Sequence, residues 1–414
     1  MKRDLLIQMK NEWRNNLWLT IGLAIVSLSI WVLGTSLYKV IYPTFFSRGF
    51  DPENVFTAQI ATIDIANEAY DEEEDSYSVN LRNLLAVLRS NENVEAVALS
   101  RNANPYQMSL WGNSIGLAGK EKDTIGYAGN MRWGSPDIAK VLRLESRTGK
   151  SIDDIEEILK KDGVLVSNMV MPLVIDPDTK ERRTPEELYG KNVEWQGEEY
   201  RVGDIINFVK RSDYTADTYG TIFLRLDESQ HLDNIWNILI RVKPGRMESF
   251  KQQFESDASL RQYKNVYLSQ MTKLTDEGVA TDRDKTVEAR MYTVVIILLI
   301  VIIFLGMLGT FWFRMQERVS EIAIRKVCGA SSGDIFRRVI SEGLLLVVFA
   351  TVLAAIAGWV IMKVTDVADG LPYESVVLTE MMTMILVVVG IVVSIWYPAR
   401  RAMRIEPAIA IKAE

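Results

Sequence analysis

A single cysteine, Cys328, and a single histidine, His231, occur among 414 residues. One cysteine excludes an internal disulfide, so every domain of this chain must be held by its own core. One histidine leaves little material for a zinc site, and His231 reads as a surface or packing residue. No serine, cysteine or paired carboxylate carries a local signature for covalent or acid–base catalysis. A net charge of -7 gives no electrostatic reason to expect a nucleic-acid partner. Four stretches lack charge altogether: Leu17 to Tyr38, Met291 to Phe313, Gly343 to Met362 and Met381 to Ala399. They contain no Asp, Glu, Lys, Arg or His, the groups that proton relays and ion pathways normally use, which argues against a proton-coupled carrier or an ion channel.

Those four stretches are also the positive feature of the sequence. A helix needs roughly 20 apolar residues to cross about 30 Å of hydrocarbon, and each stretch supplies them. The first is too long for a signal-peptide core and lacks a small-residue cleavage site at Tyr38-Lys39-Val40-Ile41-Tyr42, so it reads as a retained span. Lys2, Arg3, Lys10 and Arg14 precede it, Arg314, Arg318, Arg325, Lys326, Arg337 and Arg338 lie between the second and third, and Arg400, Arg401, Arg404 and Lys412 follow the fourth. Short basic flanks mark the cytoplasmic side, which predicts both termini inside. The expected boundaries are an in-plane elbow helix over 1–16, spans over 17–42, 291–313, 343–362 and 381–399, a cytoplasmic segment over 314–342, an outer loop over 363–380 and a tail over 400–414. Ala350, Ala354 and Gly358, four apart on the third span, suit close helix packing, equally within the chain or between two chains.

Residues 43–290 form an inserted extracytoplasmic domain large enough for a well-buried core. Val94 to Leu99, Val164 to Ser167, Tyr200 to Phe208, Thr221 to Leu226 and Ile238 to Val242 are strand candidates. Ser78 to Arg89 and Ser151 to Lys160 have helical apolar spacing. The fold class expected is therefore four transmembrane α-helices plus a large α+β domain between helices 1 and 2. The acidic run Asp71 to Asp75 reads as a solvated loop, with a loose cation site as the rival. Gly149-Lys150-Ser151 shares the end of a phosphate-binding loop, but the glycine required five residues earlier is Leu144. Nothing here predicts ATP hydrolysis by this chain or a bound cofactor.

Glu317 to Val327 places Val319, Ile322, Ile324 and Val327 among Glu317, Arg318, Glu321, Arg325 and Lys326, a short amphipathic helix suited to a partner's groove, and Gly329 ends it. A basic interfacial helix held by anionic lipid is the alternative. The run from Arg314 through Ser331, followed by Asp334-Ile335-Phe336 and Glu342, resembles the cytoplasmic segment of MacB/FtsX-type ABC transporter permeases, a group that includes LolC and LolE. Pro398-Ala399-Arg400-Arg401-Ala402 and Pro407-Ala408-Ile409-Ala410-Ile411 resemble that family's closing pattern, with Ile411 where leucine is usual. Val164 to Ser167, Leu188-Tyr189-Gly190-Lys191 and Tyr200 to Ile206 resemble a strand, turn and strand of the MacB-type periplasmic core domain, apart from Asp204 at a usually apolar position.

The resemblance implies a permease subunit of the bacterial inner membrane, without a fused ATPase, in the MacB-like or LolC/LolE-like branch. Its coupling helix would be carried here by Glu317, Arg318, Glu321, Ile322, Arg325, Lys326, Gly329, Ala330 and Ser331. Implied partners are an ABC ATPase subunit that uses ATP-Mg, a second permease as homodimer or heterodimer, the lipid bilayer, and a periplasmic adaptor or other envelope protein. The function implied is mechanotransmission: ATPase closure reshapes the periplasmic domain for export or extrusion. The alternative is an ABC-linked sensor or scaffold that controls a cell-wall hydrolase or signalling partner.

Overall fold

The computed structural model describes residues 13–404, except 73–75, 108–110, 120–125, 174–183, 215–219, 229–231, 233–234 and 236. His231, the proposed elbow before Trp13 and the tail from residue 405 lie outside the described residues. Two compact units emerge, one of residues 1–42 with 285–414 and one of residues 43–284.

The first unit contains the membrane helices. α1 runs over Trp13–Ile41, so it takes in the last residues assigned above to the elbow. The three later long helices of this unit, Arg283–Glu317, Ser332–Val364 and Tyr373–Ala402, extend past the apolar runs at one or both ends, and all four helices are long and apolar enough to cross a bilayer. This chain is a multi-pass membrane protein. Their inner faces share one core through residues such as Leu23, Ile30, Met307, Phe311, Leu346 and Ile391. The outward faces expose Ile297, Leu298, Val352, Ile356 and Ile385, which suits a hydrocarbon solvent.

The second unit is α+β. In chain order it contains β1 (Val55–Thr62), α2 (Tyr77–Ser90), β2 (Val94–Arg101), β3 (Gly112–Leu117), β4 (Gly126–Gly134), α3 (Ile138–Leu142), α4 (Ile152–Lys160), β5 (Val164–Ser167) and β6 (Met171–Pro172). β7 (Asn192–Trp195), β8 (Glu198–Ile206), β9 (Gly220–Arg225), β10 (Asn237–Val242), α5 (Met247–Ser256), β11 (Gln262–Tyr263), β12 (Val266–Lys273) and α6 (Leu274–Thr281) follow. The strand candidates and both helix candidates read from the sequence are therefore elements of the fold. An antiparallel sheet runs β11-β12-β1-β10-β2 and continues into β4. From there the path β4-β3-β7-β8-β5-β9 returns to β4 through a parallel β4–β9 pairing and closes into a ring.

Each part has its own core, because strand side chains alternate between faces. Val94, Val97 and Leu99 of β2 meet Leu81, Leu84, Leu85 and Leu88 of α2 on one face. Ala96 and Ala98 meet Val141 and Leu142 of α3 on the other. Ile115, Met131, Val166, Val202 and Ile222 belong to the core associated with the ring. Burying each of the α2 leucines contributes about 1.5–3 kcal/mol. Gly149-Lys150-Ser151 proves to be a helix start: Ser151 caps α4 by accepting from the Asp154 amide at 3.2 Å, and the Ser151 amide donates to the Asp154 carboxylate at 3.0 Å. Asp71, at the head of the acidic run, is ion-paired with Lys264 at 2.8 Å.

Polar groups tie the two ends of this unit to the loop after β8. Lys210 Nζ donates to the carbonyls of Pro43 at 2.5 Å and Phe46 at 2.7 Å. Arg48 forms a two-pronged pair with Asp213 at 2.8 and 2.6 Å. At the other end, Asp282 accepts from Ser212 Oγ at 2.5 Å and from the Asp213 amide at 3.0 Å. Deeper in the unit, the fully buried Arg241 of β10 donates to the carbonyls of Val141, Asp51 and Glu53 and pairs with the Asp51 carboxylate at 3.3 Å.

Burial pushes the Asp282 carboxyl above its usual value of 3.8, outweighing the hydrogen bonds that favour the anion. A carboxyl raised in the folded state stabilises fully below its unfolded pKa, and that contribution is lost as pH rises through the folded pKa. The stability of the wild type relative to Asp282→Asn is therefore expected to be greatest below about pH 4 and to fall on going to neutral pH. Thermal unfolding of both proteins in the same detergent across that range measures it, and a flat or rising difference would refute it.

Candidate functional site

Between the second and third membrane helices the chain makes one short, unusually constrained connection. α7 (Arg283–Glu317) ends, α8 (Val319–Val327) follows after Arg318, and α9 (Ser332–Val364) begins after four intervening residues. The last membrane helix is α10 (Tyr373–Ala402).

Local sequence chemistry dictates both ends of this connection. The Ala330 amide donates back to the Arg325 carbonyl at 3.0 Å and the Gly329 amide to Lys326 at 3.1 Å, the pattern of a Schellman stop. That stop requires a left-handed residue, and Gly329 supplies it with φ +96°. Two residues later Ser331 caps α9: its hydroxyl accepts from the Asp334 amide at 3.1 Å, and its own amide donates to the Asp334 carboxylate at 3.1 Å. Gly329, Ala330 and Ser331 thus form a helix stop and a helix start in immediate succession.

The charged residues divide by what they touch. Glu342, only 5% exposed, accepts from Arg314 at 3.2 Å and Arg318 at 3.0 Å. This triad ties the end of α7 to α9 just where the apolar run of α9 begins. Glu321 pairs with Arg325 within α8. Lys326 Nζ reaches across to the Met403 carbonyl at 2.7 Å, and Ser332 Oγ donates to the same carbonyl at 3.2 Å, so the connection is also tied to the end of α10. Glu317 stands exposed at the end of α7.

The apolar residues of α8 do not form a single face. Ile322 and Ala323 are buried in the membrane unit, whereas Ile324 is 57% and Val327 65% exposed. Three residues apart, Ile324 and Val327 are neighbours on the helix surface. The sequence grouped Val319, Ile322, Ile324 and Val327 together. Tertiary packing separates them into an inward anchor at Ile322 and an outward pair. The stripe Ala350, Ala354 and Gly358 is buried within the unit, and a Cβ on Gly358 would stand 3.1 Å from the Trp31 ring of α1. Sequence reasoning noted Glu342, Arg314 and Arg318 but not their pairing; a lone carboxylate at the lip of an apolar run, one helix away from two arginines, was the available signal.

Among the described residues, no group of three or more His, Cys, Asp or Glu is placed to hold a metal ion. The arrangement is a short helix buried on its inner side between long helices, with a small apolar pair facing outward.

Comparison with known proteins bears on the same segment. Residues 293–407 match the FtsX-like permease C-terminal family. Over the last three membrane helices and the connection between the second and third, the chain is therefore similar to a permease-type membrane domain. The crystal structure of the periplasmic region of MacB from Actinobacillus actinomycetemcomitans is similar to the chain at 13% identity and a TM-score of 0.31, over 54% of this chain and 90% of that one. No curated protein matches the chain.

Removing one member of a buried charge cluster leaves the others unpaired, so Glu342→Ala is expected to lower stability by about 3 kcal/mol. Ser331→Ala, which removes a helix cap, is expected to cost about 1 kcal/mol. Chemical unfolding in detergent micelles measures both. A Glu342→Ala protein as stable as the wild type would mean that Arg314 and Arg318 do not depend on that carboxylate.

Proposed function

We propose that this chain is the permease subunit of an ABC transporter in the cytoplasmic membrane of a bacterium, and that it couples ATP hydrolysis by a separate ATPase subunit to a change of shape in its inserted domain. The FtsX-like match supports the permease reading. Basic residues flanking the apolar runs support cytoplasmic termini, with the inserted domain on the outer side. ATP-Mg is bound and consumed by the partner, and a second permease completes the membrane assembly as a homodimer or heterodimer. The work done is export or extrusion of a substrate from the cell envelope by mechanotransmission.

The observation that carries this reading is the outward pair Ile324 and Val327 on a helix whose Ile322 and Ala323 are buried in the membrane unit. A docked ATPase would cover that pair with an apolar groove, in the manner of an amphipathic helix in its receptor. Motion of the partner would then pass through the Gly329 stop into α9 and through the Arg314–Glu342–Arg318 cluster into α7. Charged contacts at Glu317, Glu321 and Arg325 would orient the partner rather than supply most of the affinity.

Affinity purification of the full-length protein from its native membrane in mild detergent, with mass spectrometry of what remains bound, tests this. The wild type is expected to retain an ATPase with a Walker motif, and Ile324→Asp with Val327→Asp to retain at least about tenfold less, because a buried apolar pair at an interface core carries much of the binding energy. A wild-type preparation without an ATPase, or a double variant that retains it in full, would refute the proposal.

A further inference from the structure

A second feature of the membrane unit lies at the start of α8, where Val319 borders it. The ends of α7 and α10 leave a cleft of about 210 Å³ whose lining includes Trp312, Gln316, Pro398 and Arg401. That is several times the ~30 Å³ that one water occupies in the liquid. The Arg401 guanidinium lies 4.3 Å over the Trp312 ring, and Trp312 is itself stacked on Tyr397 with centroids 5.6 Å apart and planes 3° from parallel. One face of the guanidinium is thus covered while its five N–H donors, which lie in its plane, remain available.

Arginines near this connection have different fates. Arg314 and Arg318 are paired with Glu342, and Arg325 with Glu321. Among the described residues the exposed Arg401 pairs with no carboxylate and rests instead on the Trp312 ring. The cleft also lies where an apolar run ends: Trp312 is in the final turn of the run Met291 to Phe313, and Arg401 is two residues past Ala399. Tyr397, stacked on Trp312, is 59% exposed, as expected of an aromatic residue at a membrane–water boundary.

We propose that this cleft binds the phosphate headgroup of an anionic membrane phospholipid. The planar fork of Arg401 receives the phosphate oxygens in two parallel hydrogen bonds, and the Gln316 amide at the rim is placed for the headgroup's hydroxyls. The acyl chains lie along the exposed aromatic surface in the hydrocarbon. A basic pocket between membrane helices at the headgroup level has the charge and depth for such a lipid. A soluble anion would gain the charge contact but nothing from the aromatic rim. The inference does not depend on the identity of the partner docked on α8.

Native mass spectrometry of the full-length protein in mild detergent tests it, using phosphatidylglycerol and phosphatidylcholine of identical acyl chains as probes. One phosphatidylglycerol per chain is expected to bind at least about tenfold more tightly than phosphatidylcholine, the effect of a charge-assisted hydrogen-bonded pair. Arg401→Gln should abolish that preference, whereas Gln at the neighbouring exposed Arg400 should leave it in place. Equal binding of the two lipids, or an equal loss in Arg400→Gln, would overturn the proposal in favour of diffuse attraction. Displacement of bound phosphatidylglycerol by millimolar inorganic phosphate would overturn it in favour of a soluble anion. Should Arg401→Gln fail to fold, Arg401→Lys decides: it keeps the charge and loses the fork, so a reduced preference supports the site and an unchanged one refutes it.

Discussion

Inside hydrocarbon no water is available to a backbone amide or carbonyl, and the rest of this structure follows from that constraint. Chain that crosses must satisfy its own hydrogen bonds as helix, and it must be free of charge over roughly 20 residues. The four apolar runs comply, and the consequences appear at their ends. Charges excluded from the spans collect beside them, where they are either paired, as Arg314 and Arg318 are with Glu342, or turned outward, as Arg401 is over Trp312. Threonines that remain inside bond to a neighbouring carbonyl or to each other, as Thr351 does to Val347 at 2.9 Å and Thr35 with Thr379 at 3.2 Å.

The same logic explains why a nine-residue helix can sit between two long ones. α8 is too short to be stable alone in water, where isolated helices under about 12–15 residues are marginal. Its persistence comes from burial of Ile322 and Ala323, from the Lys326 contact to Met403, and from the stop and start encoded at Gly329 and Ser331. Each fixes the helix without occupying its outer surface, so Ile324 and Val327 remain available.

In the inserted domain, water outside permits strands, turns and loops, and the architecture is set by burial instead. An open sheet faced by helices and a closed ring of strands meet at β4, so that strand is bonded to neighbours in both parts. The polar ties from Lys210, Arg48 and Asp282 hold both ends of the domain to the loop after β8.

The sequence by itself determined the spans, the class of the inserted domain and the helix breaks, because each depends on composition or on residues a few positions apart. Leu81, Leu84, Leu85 and Leu88 declare a helix face within one stretch, and Gly329 and Ser331 a stop and a cap within three residues. Tertiary structure alone decided what depends on residues brought together from far along the chain: the Glu342 cluster across two helices, the tie from Lys326 to Met403, the closure of β4 on β9, the buried Arg241 and the stacking of Arg401 on Trp312. It also separated Ile322 from Ile324. Periodicity marks both as apolar, but only the positions of neighbouring helices determine which side of α8 is covered and which is left for a partner.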